Sequence, residues 1–259
     1  MIIIDKLCYY SKLRYQNPYI KTAWAMIALI ITVSTRSIAL SVLILAAMSY
    51  LTVIKGGTNL RRYCHFMAIP FAFLFLSSFA IAVNFSKTPL SVLSLPIGSW
   101  YLTASFSGLY LVLQLILTAL AAVSCLYFLT LTTPMPDILM VLKKVRCPYL
   151  IIEMMMLIYR FIFVLLDIAY QLRISQICRL GNKDKRTSWK ALGELMAVLL
   201  VRAMKRANEM YDAMESRCYN GVISVLEETG VATKKEIALL AICSLCLTAA
   251  ALCCAYLGI

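Results

Sequence analysis

The amino-acid sequence predicts an all-α polytopic membrane protein, with about five transmembrane helices and a cytoplasmic insert of amphipathic helices between the fourth and the last span. Of its 259 residues, 62% are hydrophobic and 14% are charged, whereas an ordinary soluble domain is roughly 45–50% apolar and 25% charged. The apolar residues form runs that approach the about 20 residues needed by a spanning helix. These observations indicate a chain that crosses a lipid bilayer several times.

Five apolar runs are predicted to span the membrane. The first is the shortest, and only Thr35, Arg36 and Ser37 separate it from the second, which indicates a tight helical hairpin. The predicted spans are residues 19–34, 38–54, 64–83, 106–130 and 237–257. The N-terminal segment lacks the apolar core and small-residue cleavage site of a signal peptide, so we expect it to remain attached.

The charged residues predict the orientation. The net charge is +13, from 25 Lys and Arg against 12 Asp and Glu, and basic residues gather on the cytoplasmic side of membrane proteins. Arg61 and Arg62 fall on the same side as the basic N-terminal segment, whereas Arg36 and Lys87 fall on the other. The N-terminus is therefore predicted to be cytoplasmic and the loop 84–105 external. We assign the positive charge to the membrane surface and expect no nucleic-acid partner.

Three regions follow from this topology. Residues 1–130 form an N-terminal membrane region of about four spans, residues 131–236 form a cytoplasmic region, and residues 237–259 form the last transmembrane helix. The cytoplasmic region carries sixteen of the 25 Lys and Arg. Most of the ten cysteines lie in apolar runs, where a thiol packs as a small hydrophobic group, so we expect no disulfide framework.

The cytoplasmic region begins with a short and then a long helix, which start at Pro136 and Pro148, since proline suits the first turn of a helix. The long helix is apolar nearly all round, except that Glu153, Arg160 and Asp167 recur every seven residues. Seven residues are close to two turns, so these charges form one stripe. Ionisable groups are costly in hydrocarbon. We therefore predict a helix on the membrane surface or buried in protein, with a sixth span as the alternative.

A third helix of this region, residues 189–219, is amphipathic. Its apolar residues recur at intervals of three and four positions and form one continuous face. Arg202 and Arg206 lie largely away from that face, and Gly221 is predicted to end the helix. The apolar face comprises Leu192, Met196, Leu199, Ala203, Ala207, Met210 and Met214.

The sequence offers no recognisable catalytic or metal-binding constellation. Neither the glycine pair at Gly56 nor Gly181 belongs to a loop of the kind that cradles ATP phosphates. The single histidine, His65, cannot build an HExxH site or a Cys/His zinc cluster. Cys243 and Cys246 have CxxC spacing, but they lie in an apolar run without a neighbouring Lys or His. We expect no catalytic residue, no resident metal and no cofactor.

Several stretches of the sequence resemble the transmembrane (T) components of energy-coupling-factor importers, a branch of the ABC transporters. The start of that family's coupling domain is similar to TTPMPDILMVLKKVRCPYLIIEMMMLIYRF. The two arginine-centred motifs that end its coupling helices resemble SQICRLG, residues 175–181, and RAMKRANEMYDAMESRCYNG, residues 202–221. The opening of its cobalt/nickel subgroup resembles IDKLCYYSKLRYQNPYIK, residues 4–21.

The resemblance implies a non-catalytic subunit that transmits ATP-driven motion from two ABC-type ATPase subunits to a substrate-binding membrane (S) subunit. Arg179 and Arg217 match the motif arginines, which in this family dock into grooves of the two ATPases. The family commonly has a glycine directly after each arginine, where this sequence has Leu180 and Cys218. Other residues assigned to ATPase coupling are Gly181, Ser216 and Cys218, and those expected to support the coupling helices are Glu153, Arg160, Asp167, Arg202 and Arg206.

The leading hypothesis is the T component of a cobalt or nickel importer in the bacterial or archaeal cytoplasmic (inner) membrane. The T component of a vitamin importer is the alternative within the same class, because only the N-terminal resemblance favours metal. From another class, a membrane-embedded lipid-modifying enzyme is the alternative, although no clustered acid/base or metal constellation supports it. A structural membrane anchor would not need two long amphipathic helices that end in arginines.

Overall fold

The structure is a computed structural model that describes residues 3–35, 37–82, 84–86, 93–97, 100–104 and 106–221, together with residues 238, 244–245 and 247–249. Most of the predicted last span lies outside the described residues, and Arg36, Lys87, Cys243 and Cys246 also lie outside them. The chain forms two compact units, Met1–Ile138 with Glu228–Ile259 and Leu139–Glu227. We call them the first unit and the second unit.

Eight α-helices and three short strands follow one another within the described residues. The α-helices are α1 (Ile3–Tyr10), α2 (Pro18–Thr35), α3 (Ile38–Tyr50), α4 (Leu60–Ala82), α5 (Phe106–Thr132), α6 (Met135–Lys144), α7 (Tyr149–Cys178) and α8 (Lys185–Glu215). A π-helical turn, Leu51–Lys55, extends α3, and the strands are β1 (Asn84–Ser86), β2 (Leu93–Ile97) and β3 (Trp100–Ala104).

Four stretches of helix are long and apolar enough to cross a membrane: α2, Ile38–Lys55, Tyr110–Thr132 and α7. Three of them coincide with predicted spans, including the short first one, and α4 contains most of the predicted span 64–83. α7 meets the same criterion of length and composition. Our prediction that α7 lies on the membrane surface or inside protein therefore rests on its charged stripe and stays a prediction.

The core of the first unit is built around α5. This helix packs against α1, α2, α3 and α4, and its buried face includes Ala121, Cys125 and Phe128. Many residues in the core are small, such as Ala25 and Ala28 on α2, both almost fully buried. Small residues let helix backbones approach closely, which stabilises helix packing in a bilayer. The buried Cys125 agrees with our interpretation of the apolar cysteines as packing residues.

Hydroxyl side chains on the buried faces of the helices are bonded within their own helix. Thr32, Ser41 and Thr52 each donate a hydrogen bond to the carbonyl four residues earlier, at 2.6, 2.8 and 2.7 Å. Ser41 Oγ also lies 3.3 Å from Thr118 Oγ1 on α5. These bonds matter because a buried hydroxyl without a partner is costly.

The loop 84–105 was predicted only as an external loop, and it contains a small antiparallel sheet. β3 lies in the centre and pairs with β1 on one side and β2 on the other. Leu102 of β3 stands opposite both Phe85 and Leu95. The alternation of apolar and polar residues here extends over only a few positions, too short a run to separate a strand from a loop in the sequence.

The second unit contains α7 and α8, which run antiparallel. Near their connection, Gln176 Nε2 donates a hydrogen bond of 2.6 Å to the carbonyl of Ala191. At the other end, the hydroxyl of Tyr219 donates a hydrogen bond to the carboxylate of Glu153. α7 and α8 are therefore joined near both ends, and we call them together the α7/α8 hairpin.

Candidate docking site at two helix ends

The C-terminal end of α7 is a tight turn that presents Arg179 to solvent. The amide of Gly181 donates to the carbonyl of Gln176 at 2.8 Å, and the amide of Leu180 donates to the carbonyl of Ile177 at 3.0 Å. This pair of bonds defines a Schellman motif. Leu180 has φ +58°, the left-handed conformation that the motif requires at its turning residue.

The C-terminal end of α8 repeats this geometry around Arg217. The amide of Tyr219 donates to the carbonyl of Met214 at 3.1 Å, and the amide of Cys218 donates to the carbonyl of Glu215 at 3.0 Å. Cys218 has φ +58°. In both turns an exposed arginine comes directly before a residue in the left-handed conformation, so Arg179 and Arg217 occupy equivalent positions.

This geometry explains the sequence pattern around the arginines. A left-handed conformation costs a residue with a side chain roughly 1–2 kcal/mol, and glycine avoids that cost. The glycine that commonly follows the arginine in energy-coupling-factor T components suits this position, which Leu180 and Cys218 occupy here. Gly181 has a different reason to be glycine, because a Cβ at that position would lie 2.9 Å from the carbonyl oxygen of Gln176.

Arg179 and Arg217 lie at opposite ends of the α7/α8 hairpin, because each follows the C-terminus of one of two antiparallel helices. α8 contains 31 residues, and a rise of about 1.5 Å per residue separates its ends by roughly 45 Å. Both Arg179 and Arg217 are exposed. The second unit therefore carries two similar cationic turns at a fixed, large separation.

The turn that carries Arg217 is held by the contact between Tyr219 and Glu153. Glu153 is 4% exposed, and it belongs to the first turns of α7. Its hydrogen bond from the Tyr219 hydroxyl is the main reason that the pKa of Tyr219 is raised from 10.0 to about 12. Desolvation and the negative charge of Glu153 act in the same direction. Of the predicted supporting residues, Glu153 therefore has the clearest structural role.

Two further predicted supporting residues, Arg160 and Arg206, line a cleft of about 320 Å³ together with Arg217. Arg206 also forms an ion pair of 3.2 Å with Glu209 in the same cleft. The apolar residues that line this cleft are Phe161, Val164, Met210, Ala213 and Met214. The arrangement concentrates positive charge beside the Arg217 turn, which suits an acidic surface.

The remaining predicted site residues are dispersed. Asp167 and Arg202 are exposed and line neither this cleft nor the turns. Ser216 is exposed, and its hydroxyl donates 3.0 Å to the carbonyl of Ala213 within the last turn of α8. The structure thus brings together Glu153, Tyr219 and Arg217 but does not bring Asp167 or Arg202 to them.

Sequence reasoning missed Lys21, which we had treated only as one of the basic residues of the N-terminal segment. Its side chain is 4% exposed, and its ammonium group donates to the carbonyls of Leu13 at 3.0 Å, Arg14 at 3.4 Å and Thr132 at 3.2 Å. Thr132 is the last residue of α5, and a cation is favourable there because the C-terminal end of a helix carries the negative end of its dipole. Lys21 and its partners are not separated by a regular interval in the sequence, so no sequence pattern could have predicted this contact.

In the part of the chain that the structure describes, no group of three or more His, Cys, Asp or Glu side chains is arranged to hold a metal ion.

Similarities to known proteins extend over most of the chain. The family model of the cobalt transport protein CbiQ matches residues 10–228. The chain is 28% identical over 221 residues to the cobalt transport protein CbiQ of Salmonella typhimurium, which covers 84% of this chain and 97% of that protein. It is also 31% identical over 225 residues to an uncharacterised protein of Methanocaldococcus jannaschii, with 87% and 83% of the two chains covered.

A further relative is named as the transmembrane protein of an energy-coupling factor transporter. The energy-coupling factor transporter transmembrane protein EcfT of Ruminiclostridium cellulolyticum is 31% identical over 162 residues, which cover 57% of this chain and 58% of that protein. Together with the matches to CbiQ, this similarity confirms the resemblance that the motifs indicated.

Proposed function

The chain belongs to the CbiQ family of cobalt transport proteins, and on that premise we propose that it couples two ABC-type ATPase subunits to a substrate-binding membrane subunit. It is a multi-pass membrane component of a transport system. The proposal concerns how it works in that system: as the non-catalytic subunit that converts ATPase motion into movement of the substrate-binding subunit.

The observation that carries the proposal is the equivalence of the Arg179 and Arg217 turns. Each turn presents a guanidinium group that stays charged at all relevant pH values and has five N–H donors. A carboxylate or a cluster of carbonyls can hold such a group through a rigid-body motion. Two equivalent turns at opposite ends of one hairpin suit two copies of similar partners, one for each arginine.

The proposed mechanism uses the two hydrogen bonds that join α7 and α8. The bond from Gln176 to Ala191 and the bond from Tyr219 to Glu153 lie near the two ends of the α7/α8 hairpin. When the two ATPase subunits approach or separate, each pulls on one turn. Helices that are joined near both ends transmit that displacement and do not absorb it by local unfolding.

We propose cobalt or nickel as the transported substrate. The names of the CbiQ relatives support cobalt, and the resemblance of residues 4–21 to the cobalt/nickel subgroup supports either metal. The coupling mechanism requires no metal contact with this chain, since the substrate binds to the partner subunit. The EcfT relative supports the coupling role without naming a substrate, so the T component of a vitamin importer is the second candidate.

The proposal is tested by ATP-driven uptake. The chain is expressed with its ATPase and substrate-binding partners, and uptake of radiolabelled cobalt and nickel is measured for the double variant Arg179→Ala, Arg217→Ala. We expect a loss of at least about tenfold, because truncating one partner of a buried charge pair costs roughly 2–5 kcal/mol. Co-purification of the ATPase subunits with the tagged chain should fall in parallel.

A matched control removes the same charge from elsewhere on α8. Lys190→Ala with Lys205→Ala also deletes two exposed basic side chains and should retain uptake and co-purification. Equal uptake by the arginine variant and the wild type would contradict ATPase coupling through these turns. Uptake of a vitamin without uptake of either metal would leave the coupling role intact and select the second candidate.

A further inference from the structure

A second cleft lies between α7 and α8 near their connection, remote along the hairpin from Arg217. Its volume is about 840 Å³, enough for a small amphiphilic molecule. We call it the connection cleft. Neither Arg179 nor Arg217 lines it, but it adjoins the Arg179 turn, because Gln176, whose carbonyl accepts a bond in that turn, is one of its lining residues.

The lining of the connection cleft is divided by polarity. The residues close to the connection are mostly polar and include the basic side chains of Arg173, Lys183 and Lys185. The residues deeper along the two helices are apolar or aromatic: Leu166, Ala169, Tyr170, Trp189, Leu192 and Leu195. An occupant that matches this lining has an anionic head and an apolar body.

Two aromatic residues mark the boundary between the basic and the apolar part. Tyr170 is 67% exposed and Trp189 is 73% exposed, although both are large and largely apolar. Tyr and Trp are enriched where a protein meets the headgroup level of a bilayer, because one part of each ring system is apolar and the other is polar. Their position at this boundary is the arrangement expected at a lipid interface.

The charge of the cleft is net positive, since Arg173, Lys183 and Lys185 line it together with one acidic residue, Asp184. Between residues 173 and 190 there are six basic residues, and Asp184 is the one acidic residue in that stretch. Lysine and arginine near a membrane surface attract anionic lipids, and basic pockets between helices on the cytoplasmic side bind the headgroups of such lipids. The electrostatics of the connection cleft therefore complement an anionic headgroup.

We propose that the connection cleft binds an anionic phospholipid, with the phosphate against Arg173, Lys183 and Lys185 and an acyl chain along the apolar wall. A free phosphate ion would leave that wall exposed to water. An acidic protein segment is the competing occupant. The lipid is favoured because α7 contains a stretch with a mean hydropathy of 2.1, which suits contact with lipid at a membrane surface. Ile174 and Ile177, next in the chain to the lining residues Arg173 and Gln176, add exposed apolar side chains there.

Trp189 provides the readout. The full-length chain, purified in mild detergent, is titrated with brominated phosphatidylglycerol or brominated phosphatidylcholine, and the Trp189 fluorescence is obtained as the difference between the wild type and Trp189→Phe. We expect saturable quenching by phosphatidylglycerol at a concentration on the order of tenfold lower than by phosphatidylcholine. Excess inorganic phosphate should not relieve the quenching.

The preference should depend on the three basic residues of the cleft. The variant Arg173→Gln, Lys183→Gln, Lys185→Gln should lose it, whereas Lys143→Gln, Arg202→Gln, Lys205→Gln, which removes the same charge outside the cleft, should keep it. Equal quenching by both lipids in the wild type would overturn the proposal. Absence of quenching by either lipid would also overturn it, and an acidic protein segment would then be the occupant to test. None of these outcomes depends on ATPase coupling.

Discussion

The hydroxyl of Tyr219 donates a hydrogen bond to the buried carboxylate of Glu153. Glu153 lies in the first turns of α7, and Tyr219 follows the end of α8. The bond therefore joins the start of α7 to the end of α8, which lie side by side at one end of the hairpin. Arg217 lies two residues before Tyr219. A contact between a half-buried tyrosine and a buried carboxylate therefore holds the cationic turn that we propose as a docking point.

Removing this contact should loosen the Arg217 turn. In Tyr219→Phe the carboxylate of Glu153 keeps its burial and loses its donor, a destabilising combination. We expect faster hydrogen exchange at the amides of residues 214–219 and lower uptake in the assembled transporter. Tyr211→Phe, which alters an exposed tyrosine of α8, is the control. Unchanged exchange in the Tyr219 variant would mean that the bond does not hold the turn.

The same bond predicts a dependence on alkaline pH. The pKa of Tyr219 is raised to about 12 from 10.0, so the folded state retains the phenolic proton longer than the unfolded chain does. Its contribution to stability is complete below pH 10 and is lost as the pH rises through about 12. The difference in tyrosinate absorbance between the wild type and Tyr219→Phe should show one group titrating near pH 12. Titration of that group near pH 10 would contradict the contact.

Gly181 should not tolerate a side chain. In Gly181→Ala the new Cβ lies 2.9 Å from the carbonyl oxygen of Gln176, and overpacking of this kind typically costs about 1–3 kcal/mol. The amides of the Arg179 turn should exchange faster. Gly193→Ala is the matched control, because nothing lies within 4 Å of its added Cβ, and it should stabilise α8 by about 0.5–1 kcal/mol. Equal effects in the two variants would contradict the turn geometry.

Replacing Leu180 or Cys218 by glycine should stabilise the turn in which it lies. Leu180→Gly and Cys218→Gly each relieve a left-handed conformation, at φ +58° in both, worth roughly 1–2 kcal/mol. The greater freedom of glycine in the unfolded chain offsets about 0.5–1 kcal/mol of that gain. We expect slower exchange of the turn amides. The control Ser175→Gly lies within α7 and should destabilise the helix. An equal loss of stability in Leu180→Gly would show that the conformation of Leu180 is not left-handed.

Lys21 should be necessary for the stability of the first unit. Lys21→Met retains the length of the side chain but removes the donor to the carbonyls of Leu13 and Thr132. Leaving such groups unsatisfied costs about 1–3 kcal/mol. The free energy of unfolding, measured in detergent micelles, should fall by that amount. Lys55→Met, which alters an exposed lysine of the same unit, should change it little, and equal stability of the two variants would contradict the role of Lys21.

Much of the helical architecture could be predicted from the sequence because it depends on local composition. A spanning helix needs about 20 apolar residues whatever it packs against, so α2, α3 and α5 were predicted close to their observed bounds. The start of α7 after Pro148 and the amphipathic α8 follow from proline, glycine and a periodicity of three to four residues. The arginine motifs were recognised in the same way, as short strings with a characteristic order.

Contacts between distant residues could not be predicted from local pattern. Lys21 meets Thr132 across 111 positions, and Tyr219 meets Glu153 across 66 positions. Each bond exists because helix packing brings together groups that have no regular spacing in the chain. The charged stripe of α7 illustrates the difference: periodicity placed Glu153, Arg160 and Asp167 on one line, whereas packing buried Glu153 and left the other two exposed.

By itself, the sequence determined that this protein is a helical membrane protein with a basic helical insert and two arginine motifs, because hydropathy, charge and periodicity are properties of short segments. Only the tertiary structure decided that the two arginines occupy equivalent left-handed turns at opposite ends of one hairpin. That relationship depends on the backbone conformation at Leu180 and Cys218, where the sequence lacks glycine, and on the antiparallel packing of two helices, which no local segment specifies.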